Sequence, residues 1–426
     1  MGRVVAPKAL RTAEIVAVGS ELLGTTRLDT NSLFLAGQLA SLGIELRAKG
    51  VVGDDRPMLA ALFSQALARA DLVILTGGLG PTDDDVTREV VAGALALPLV
   101  EDPAIVAAIE RRFARRGMRM PGVNRRQAQV PQGALVLDNP NGTAPGLYIT
   151  HHSQVVVLLP GPPRELQPMM ARLCDGPLAA RAGDERSYTT SLFIAGRTES
   201  HVEETIQPIY SRWYGETPPI QTTILAAPGQ IEVHLTLRSS DPAAARARLE
   251  EARAALIAAL GDAVFSTDGR LLEEVVGALL EERGLTIGVV ESCTGGLLTS
   301  RLTDVPGSSG YVRGGVVAYS NDLKTGLAGV ADAAIARHGA VSESVAAAMA
   351  VGARSRMGAD IGVGITGIAG PDGGTPQKPV GTVAIAVAGP SGDAQARTFL
   401  FPGGRAQIKY QSTQTALDMV RKLIER

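Results

Sequence analysis

The chain has 426 residues, enough for about two to four domains, and its hydrophobic (45%) and charged (20%) fractions are those of an ordinary globular protein. Lys plus Arg number 41 against 43 Asp plus Glu, a formal net charge of −2, whereas nucleic-acid binders usually carry a basic excess on at least one domain, so nucleic acid is not an expected partner. Two cysteines, Cys174 and Cys293, make no disulfide framework and point to a reducing compartment, the cytoplasm; no apolar run reaches membrane-spanning length, and residues 1–11 lack the apolar core of a signal peptide.

The first part reads as alternating strands and helices. Residues 13–19 (AEIVAVG) have strand length, and Asp29 and Thr30 open a helical stretch that stops at Gly43. IELRAKGVVGD follows as a second strand. Asp55 caps a helix through Ala70, with Pro57 in its first turn, where a missing N–H costs little. Residues 71–78 (DLVILTGG) form a third strand, apolar on both faces, and the unit continues through VVVLLPGPPREL to about Leu178. Strand, helix, strand at these lengths predicts a parallel sheet covered by helices.

A second segment, 187–268, holds YTTSLFIAG, a helical ESHVEETIQPIY, the strands QTTILAA and IEVHLTLRS, and an Ala/Arg/Glu-rich helix after Asp241. Its strands alternate apolar and polar, which suits a small α+β module whose antiparallel sheet has one wet face. The third segment starts with a helix after Gly269. It runs through LTIGVVES, GGVVAYS, an Ala-rich helix after Ser342, DIGVGITGIAGP, GTVAIAVAG and a final helix to Arg426, and is again α/β. No internal repeat relates the two α/β parts.

Ligands of open α/β sheets bind outside the carboxyl ends of strands, so the loops after apolar runs are the informative ones. In TGGLGPTDDDVTRE (76–89), Gly77, Gly78 and Gly80 let backbone N–H groups approach an anion. Asp83, Asp84 and Asp85 then fall in the expected first helical turn, where they could hold Mg²⁺ or a similar hard cation that bridges phosphates. The competing reading is a glycine turn before a helix whose dipole favours acidic residues. NPNGTAPGLY (139–148) and LPGPPRE (159–165) are Gly/Pro loops that by themselves read as ordinary turns.

The fourth loop is VVESCTGG (289–296). Ser292 stands on a strand-to-helix turn, and the N–H groups of Cys293, Thr294, Gly295 and Gly296 would form an oxyanion site at a helix N-terminus. Ser292 would otherwise be only an N-cap. A serine nucleophile needs a base, and none of His151, His152, His201, His234 and His338 falls in a suggestive place or has zinc-site spacing. Lys324, in YSNDLKTGLAGV, is the next candidate if its pKa is lowered, although spacing alone favours a solvated helix lysine. Cys293 is a rival nucleophile, because a thiol at a helix N-terminus is acidified. Glu291 precedes Ser292 on a strand and so faces the opposite side.

At these loops the sequence resembles the CinA family, the competence/damage-inducible proteins. VGSELLGTTRLDTN, GGLGPTDDDVTRE, NPNGTAPG and LPGPPRE resemble its molybdopterin-binding-like domain. ESCTGG, YSNDLK, GAVSE, GITGIAGPDGG and KPVGTV resemble nicotinamide-nucleotide amidases. The resemblance implies three parts: a parallel-sheet molybdopterin-binding-like domain (1–180), a KH-like α+β domain (187–266) and an α/β amidase domain (269–426).

The resemblance further implies that the C-terminal domain hydrolyses nicotinamide mononucleotide to nicotinic acid mononucleotide and ammonia, with a Ser/Lys pair matching Ser292 and Lys324 and no cofactor. Substrate contacts are expected from Cys293, Thr294, Gly295, Gly296, Tyr319, Asn321, Thr366, Gly367 and Arg405. For the N-terminal domain it implies a metal-dependent ADP-ribose pyrophosphatase. There the expected nucleotide contacts are Asp29, Asn31, Gly77, Gly78, Gly80, Thr82, Asn141, Gly142, Thr143 and Gly161. The expected divalent metal (Mg²⁺, Co²⁺ or similar, with K⁺ as a further cation) falls to Asp83, Asp84 and Asp85. The middle module lacks a GXXG loop, GRTES (196–200) standing nearest, so it is not expected to bind RNA. The chain departs from the family pattern at Glu21-Leu22-Leu23-Gly24-Thr25, where ELLLG is common, and at Gly404, where an acidic residue often precedes the arginine.

The expected protein is therefore a homodimeric cytoplasmic hydrolase of pyridine-nucleotide salvage, acting on small nucleotides. The rival is a non-catalytic nucleotide- or pterin-binding scaffold in competence or DNA repair, because sites rather than folds carry function.

Overall fold

A computed structural model describes residues 8–426, and the chain divides into two compact units: Met1–Tyr188 with Arg238–Ala245, and Thr189–Leu237 with Arg246–Arg426. The first unit has strands β1 (Thr12–Val18), β2 (Glu45–Val52), β3 (Leu72–Thr76), β4 (Leu99–Glu101), β5 (Gln129–Pro131), β6 (Leu135–Leu137), β7 (Gly146–His151) and β8 (Gln154–Leu159). Six of them form one sheet in the order β2-β1-β3-β8-β7-β6, while β4 and β5 pair separately. The β2-β1-β3-β8 part is parallel, as the alternation of strand and helix predicts. β7 and β6 extend it antiparallel, which the sequence reading did not anticipate. Only His152 and Ser153 separate β7 from β8, and a link that short can join only antiparallel neighbours.

The central strands are apolar on both faces because both are covered. Ile15, Ile74 and Val157 pack on Leu35 and Leu39 of helix Asn31–Ser41 and on Met169 and Leu173 of helix Pro163–Asp175. Val16, Val73, Leu75 and Val156 pack on Leu59 and Phe63 of helix Arg56–Arg69. Asp55 caps that helix by accepting from the Met58 amide at 2.8 Å. Thr30 makes no side-chain cap; Asp29 accepts from the Ser32 amide at 3.0 Å instead.

The second unit carries most of β9 (Arg186–Ile194) and β11 (Gln230–Ser239) and all of β10 (Ile220–Ala227) and β12 (Val264–Ser266), in the order β10-β11-β9-β12, with β10/β11 and β12/β9 antiparallel. It also carries a five-stranded sheet of β13 (Ile287–Glu291), β14 (Val312–Val317), β15 (Ile361–Gly367), β16 (Thr382–Ala388) and β17 (Ala394–Leu400), in the order β14-β13-β15-β16-β17. The middle module shares a core with this second sheet: Phe193, Ala195 and Phe265 join the cluster of Leu272, Val276, Val289 and Leu417.

In the five-stranded sheet β14, β13 and β15 are parallel and β16 and β17 antiparallel. One face is large and aliphatic, with Val289, Val363 and Ile385 against helices Leu272–Arg283 and Arg405–Ile424. The other is nearly bare, with Ala384, Ala386 and Ala388 beside Ala346 and Ala350 of helix Glu343–Met357. A Cβ on Gly362 would stand 2.0 Å from the Ala350 carbonyl, and one on Gly364 2.3 Å from that of Ala346. Glycine is therefore required there for the helix to lie directly on the strand. Among the described residues no helix is long and apolar enough to cross a membrane.

Candidate active sites

β13 is flanked by β14 on one side and β15 on the other, so the sheet changes direction there and opens a crevice beyond the carboxyl ends of these strands. Ser292 follows β13 directly. Its amide donates to the Ile365 carbonyl at 2.9 Å, which extends the β13/β15 ladder by one bond and fixes the serine. Ser292 and Cys293 are 7% and 6% exposed, and Lys324, on helix Asn321–Ala328 after β14, is 2% exposed.

The Lys324 Nζ lies 3.0 Å from the Ser292 Oγ, 3.1 Å from the Ala318 carbonyl and 3.3 Å from the Tyr319 carbonyl. No carboxylate pairs with it among the described residues, and burial pushes its pKa below the usual lysine value. A neutral amine in this position can give its two protons to the carbonyls and turn its lone pair to the serine hydroxyl. The lysine expected on spacing alone to be solvated is thus a buried partner of the serine.

Glu291 is fully buried and faces away from Ser292, as its place on the strand predicts. Its carboxylate accepts from the amides of Leu298 (3.0 Å) and Thr299 (2.9 Å) and from the Thr299 hydroxyl (2.8 Å). It therefore satisfies the first turn of helix Leu297–Asp304. The amides left to meet an anion are then those of the turn before the helix. There the Gly295 amide is spent on the Ser292 carbonyl at 3.1 Å, while those of Cys293, Thr294 and Gly296 meet no backbone acceptor among the described residues. The four amides expected as a set reduce to three, because Gly295 closes the turn. Thr294 is fully buried and its hydroxyl has no partner. Burial pushes the Cys293 thiol up to about 12, so it is not a thiolate near neutral pH.

Of the other expected contacts, Tyr319 and Asn321 are exposed at the lip, with the Tyr319 hydroxyl accepting from Arg405 at 3.0 Å. Arg405 also donates to the Gly370 carbonyl at 2.8 Å, tying the 368–381 loop to the site. Thr366, 1% exposed, donates to the Ala340 carbonyl at 2.8 Å, and Gly367 ends β15. The Ala318 and Tyr319 carbonyls were not legible in sequence, because backbone acceptors leave no residue signature.

The first unit has a cleft of about 900 Å³ at the carboxyl ends of β1, β3 and β8. Asp29, Asn31, Gly77, Gly78, Gly80, Asn141, Gly142, Thr143 and Gly161 all line it; Thr82 does not. Sequence reasoning missed Glu21, Arg27, Asp54, Arg112, Arg116 and Glu165 as lining residues, although Glu21, Arg27 and Glu165 lie within the quoted motifs.

The acidic run is rearranged relative to expectation. It precedes the helix, which begins at Thr87. Asp85 folds back on the loop, accepting from the Gly80 amide (2.7 Å), the Thr82 amide (2.9 Å) and the Thr82 hydroxyl. Asp83 is fully exposed outside the cleft and pairs with Arg126 at 3.2 Å. Asp84 lines the cleft, and hydrogen bonding within the Thr82–Asp84 turn and the nearby Arg126 guanidinium hold its carboxyl below the usual range. The expected metal set of Asp83, Asp84 and Asp85 is therefore not brought together. Among the described residues no group of three or more His, Cys, Asp or Glu side chains could hold a metal. The glycine loop needs an internal cap for its amides, and Asp85 supplies it.

Comparison with known proteins decides the lineage. A "CinA-like protein" of Koribacter versatilis is 49% identical over 415 residues, covering 96% of this chain and 99% of that one. The chain belongs to the CinA family. A putative competence-damage inducible protein of Symbiobacterium thermophilum is 46% identical over 426 residues, covering 97% of this chain and 98% of its own. Residues 270–424 match the family's "CinA C-terminal domain" and residues 14–180 match a "probable molybdopterin binding domain". The solved competence/damage inducible protein of Agrobacterium tumefaciens is 37% identical and aligns 36% of this chain with 94% of its own, at a TM-score of 0.35. In this CinA-family chain the Ser292/Lys324 pair belongs to the C-terminal domain, and the cleft with the glycine loop belongs to the molybdopterin-binding-like domain.

Proposed function

We propose that the C-terminal domain is a serine amidase that converts nicotinamide mononucleotide to nicotinic acid mononucleotide and ammonia, in the cytoplasm. The 3.0 Å approach of a buried, charge-unpaired Lys324 amine to the Ser292 hydroxyl supports this reading most. Lys324 takes the hydroxyl proton as Ser292 Oγ bonds to the carboxamide carbon, and the negative oxygen is met by the free amides of the 293–296 turn. Collapse breaks the C–N bond, Lys324 returns the proton to the leaving nitrogen, and ammonia departs. Water then opens the acyl ester, with Lys324 again accepting a proton. The test is ammonia release from nicotinamide mononucleotide by the purified chain. Its absence, with the acid product also absent, overturns the proposal.

For the N-terminal cleft we propose binding of a nucleoside diphosphate such as ADP-ribose, with pyrophosphate hydrolysis. Of the glycine-loop amides, that of Gly77 donates to the Leu159 carbonyl and that of Gly80 to Asp85, so among the described residues the Gly78 amide is the one of the three left to meet a phosphate oxygen. Asp84 is the one member of the acidic run left free in the cleft, so a divalent ion would be held by Asp84 together with the substrate's phosphates, and would supply charge neutralisation at the bridging oxygens. AMP formation from ADP-ribose with Mg²⁺ or Co²⁺ is the expected result, and none under any divalent ion would leave a binding domain. A scaffold with neither activity accounts for the Lys324 bonds to the Ala318 and Tyr319 carbonyls but leaves its 3.0 Å approach to the Ser292 hydroxyl without a role.

A further inference from the structure

Two buried side chains stand behind the glycine loop of the first unit. Thr87 and Arg88 open helix Thr87–Ala94, are 0% and 1% exposed, and do not line the cleft, whereas Gly77, Gly78, Leu79 and Gly80 do. The Thr87 hydroxyl donates to the Gly77 carbonyl at 2.8 Å, and the Thr87 amide to the Gly78 carbonyl at 3.2 Å. The Arg88 guanidinium donates to the Leu79 carbonyl at 2.8 Å and, through its other terminal nitrogen, to the Arg126 carbonyl at 3.0 Å. Three successive loop carbonyls are thus held on the buried side by two adjacent residues.

A carbonyl and the amide that follows it belong to one planar trans peptide and point in opposite directions. Pinning the Gly77 carbonyl therefore turns the Gly78 amide away from Thr87, and pinning the Gly78 carbonyl does the same for the Leu79 amide. Neither amide has an acceptor among the described residues. The positive φ of Gly77 (93°) and Gly78 (64°) lets the chain take this course. A Cβ on Gly78 would stand 2.2 Å from the Thr87 Oγ1, so the threonine lies directly against the loop. Two successive free amides form a concavity that suits an anion. The next amide, that of Gly80, already holds one: its own carbonyl neighbour is pinned by Arg88, and it donates to the Asp85 carboxylate at 2.7 Å. Arg88 stays protonated, and the one carboxylate within 4.0 Å, that of Glu89, is bonded to Arg126. A loosely matched positive charge therefore sits behind the loop, where burial leaves it little screened.

We propose that Thr87 and Arg88 are the positioning residues of this cleft: together they aim the Gly78 and Leu79 amides at a phosphate of the substrate, and the Arg88 charge strengthens that anion binding. This rests on the reading of the N-terminal cleft as a nucleoside-diphosphate site. Neither residue touches the substrate.

The test uses the full chain as wild type, Thr87→Val, Thr87→Ser, Arg88→Met and Arg88→Lys. Dissociation constants for ADP-ribose and for inorganic pyrophosphate are measured by calorimetry, well below each variant's thermal midpoint. AMP formation from ADP-ribose with Mg²⁺ gives KM and kcat. Thr87→Val keeps the branched shape and loses the hydroxyl bond. It should weaken both ligands about tenfold or more and raise KM to match, with kcat moved much less. Thr87→Ser should restore most of the affinity. Arg88→Met should weaken both ligands as well, and Arg88→Lys should recover part, because it keeps the charge but lacks the fork that reaches two carbonyls. Wild-type affinity in Thr87→Val and Arg88→Met overturns the assignment. So does a loss that the Ser and Lys variants share in full and that follows the drop in thermal midpoint, since packing alone would then explain it. If wild type binds both ligands but makes no AMP, the hydrolytic reading fails while the affinities still decide the assignment. If wild type binds neither, the cleft reading fails and the assignment falls with it.

Discussion

Ser292 and Lys324 lie 32 positions apart in the chain, and their meeting depends on two different strands ending at the same level of one sheet. Because the lysine is desolvated and lacks a counter-carboxylate, its ammonium form is disfavoured, and it loses its proton at lower pH than an exposed lysine does. A base must be deprotonated to act, so kcat/KM for nicotinamide mononucleotide is expected to rise with pH through a value below the ordinary lysine range of about 10.4. Lys324→Arg keeps a charge but cannot accept a proton. It should still bind the nucleotide, turn over at least about a hundredfold slower, and lose that limb of the pH profile. Near-normal turnover would show the lysine acting only as a charge. Ser292→Ala should abolish ammonia release, while Cys293→Ser should leave most of it, because the thiol stays protonated near neutral pH. The reverse pattern, measured in the same assay, would assign the nucleophile to Cys293. In the first unit, Asp84→Ala is expected to remove metal-dependent AMP formation with folding intact. Asp85→Ala should loosen the loop itself, each lost bond to Gly80 and Thr82 contributing about 1 kcal/mol, read as a lower thermal midpoint.

At the scale of elements, β15 and helix Glu343–Met357 are held together by what is missing between them. Gly364→Ala would drive a methyl group against the Ala346 carbonyl, and overpacking of this kind costs about 1–3 kcal/mol. The same strand carries the Ile365 carbonyl that anchors Ser292, so amidase activity should fall with stability. Gly326→Ala, also in the second unit but on a helix with open space around it, should be neutral or stabilising by up to about 1 kcal/mol. Urea midpoints of the two variants measure the contrast. If both glycines tolerate alanine equally, the close approach of helix and strand is not what holds this face.

For the molecule as a whole, all the motifs that resemble amidases fall within 269–426, yet the core under the five-stranded sheet does not stop there. Phe193 and Phe265 of the middle module are buried in it, and fully burying an aromatic side chain contributes about 2–3 kcal/mol. The Gln414 amide also donates to the Gln230 side chain at 3.2 Å, and Arg421 reaches the Asp262 carbonyl. A fragment spanning 189–426 is therefore expected to release ammonia and to unfold at a clearly higher temperature than 269–426, whose aliphatic face is partly uncovered. Equal midpoints for the two fragments would mean that the middle module adds nothing to the stability of the amidase.

The sequence by itself determined the class of both α/β parts, because apolar runs of strand length alternating with capped helices have few solutions other than a covered parallel sheet. It singled out loops that line the cleft and the crevice, since Gly-rich turns after apolar strands are where such sheets place ligands, and it put Glu291 on the far side of Ser292 through the two-residue period of a strand. Only the tertiary structure shows Lys324 buried against two carbonyls and a serine, because nothing in the spacing of YSNDLKTGLAGV distinguishes that from a solvated lysine. It also decided the roles within Asp83-Asp84-Asp85, three residues alike in sequence that a turn sends to solvent, to the cleft and back onto the loop. The antiparallel strands and the shared core of the middle module depended on it as well. These features rest on which surfaces meet over long sequence separations, and the local pattern of a chain carries little record of that.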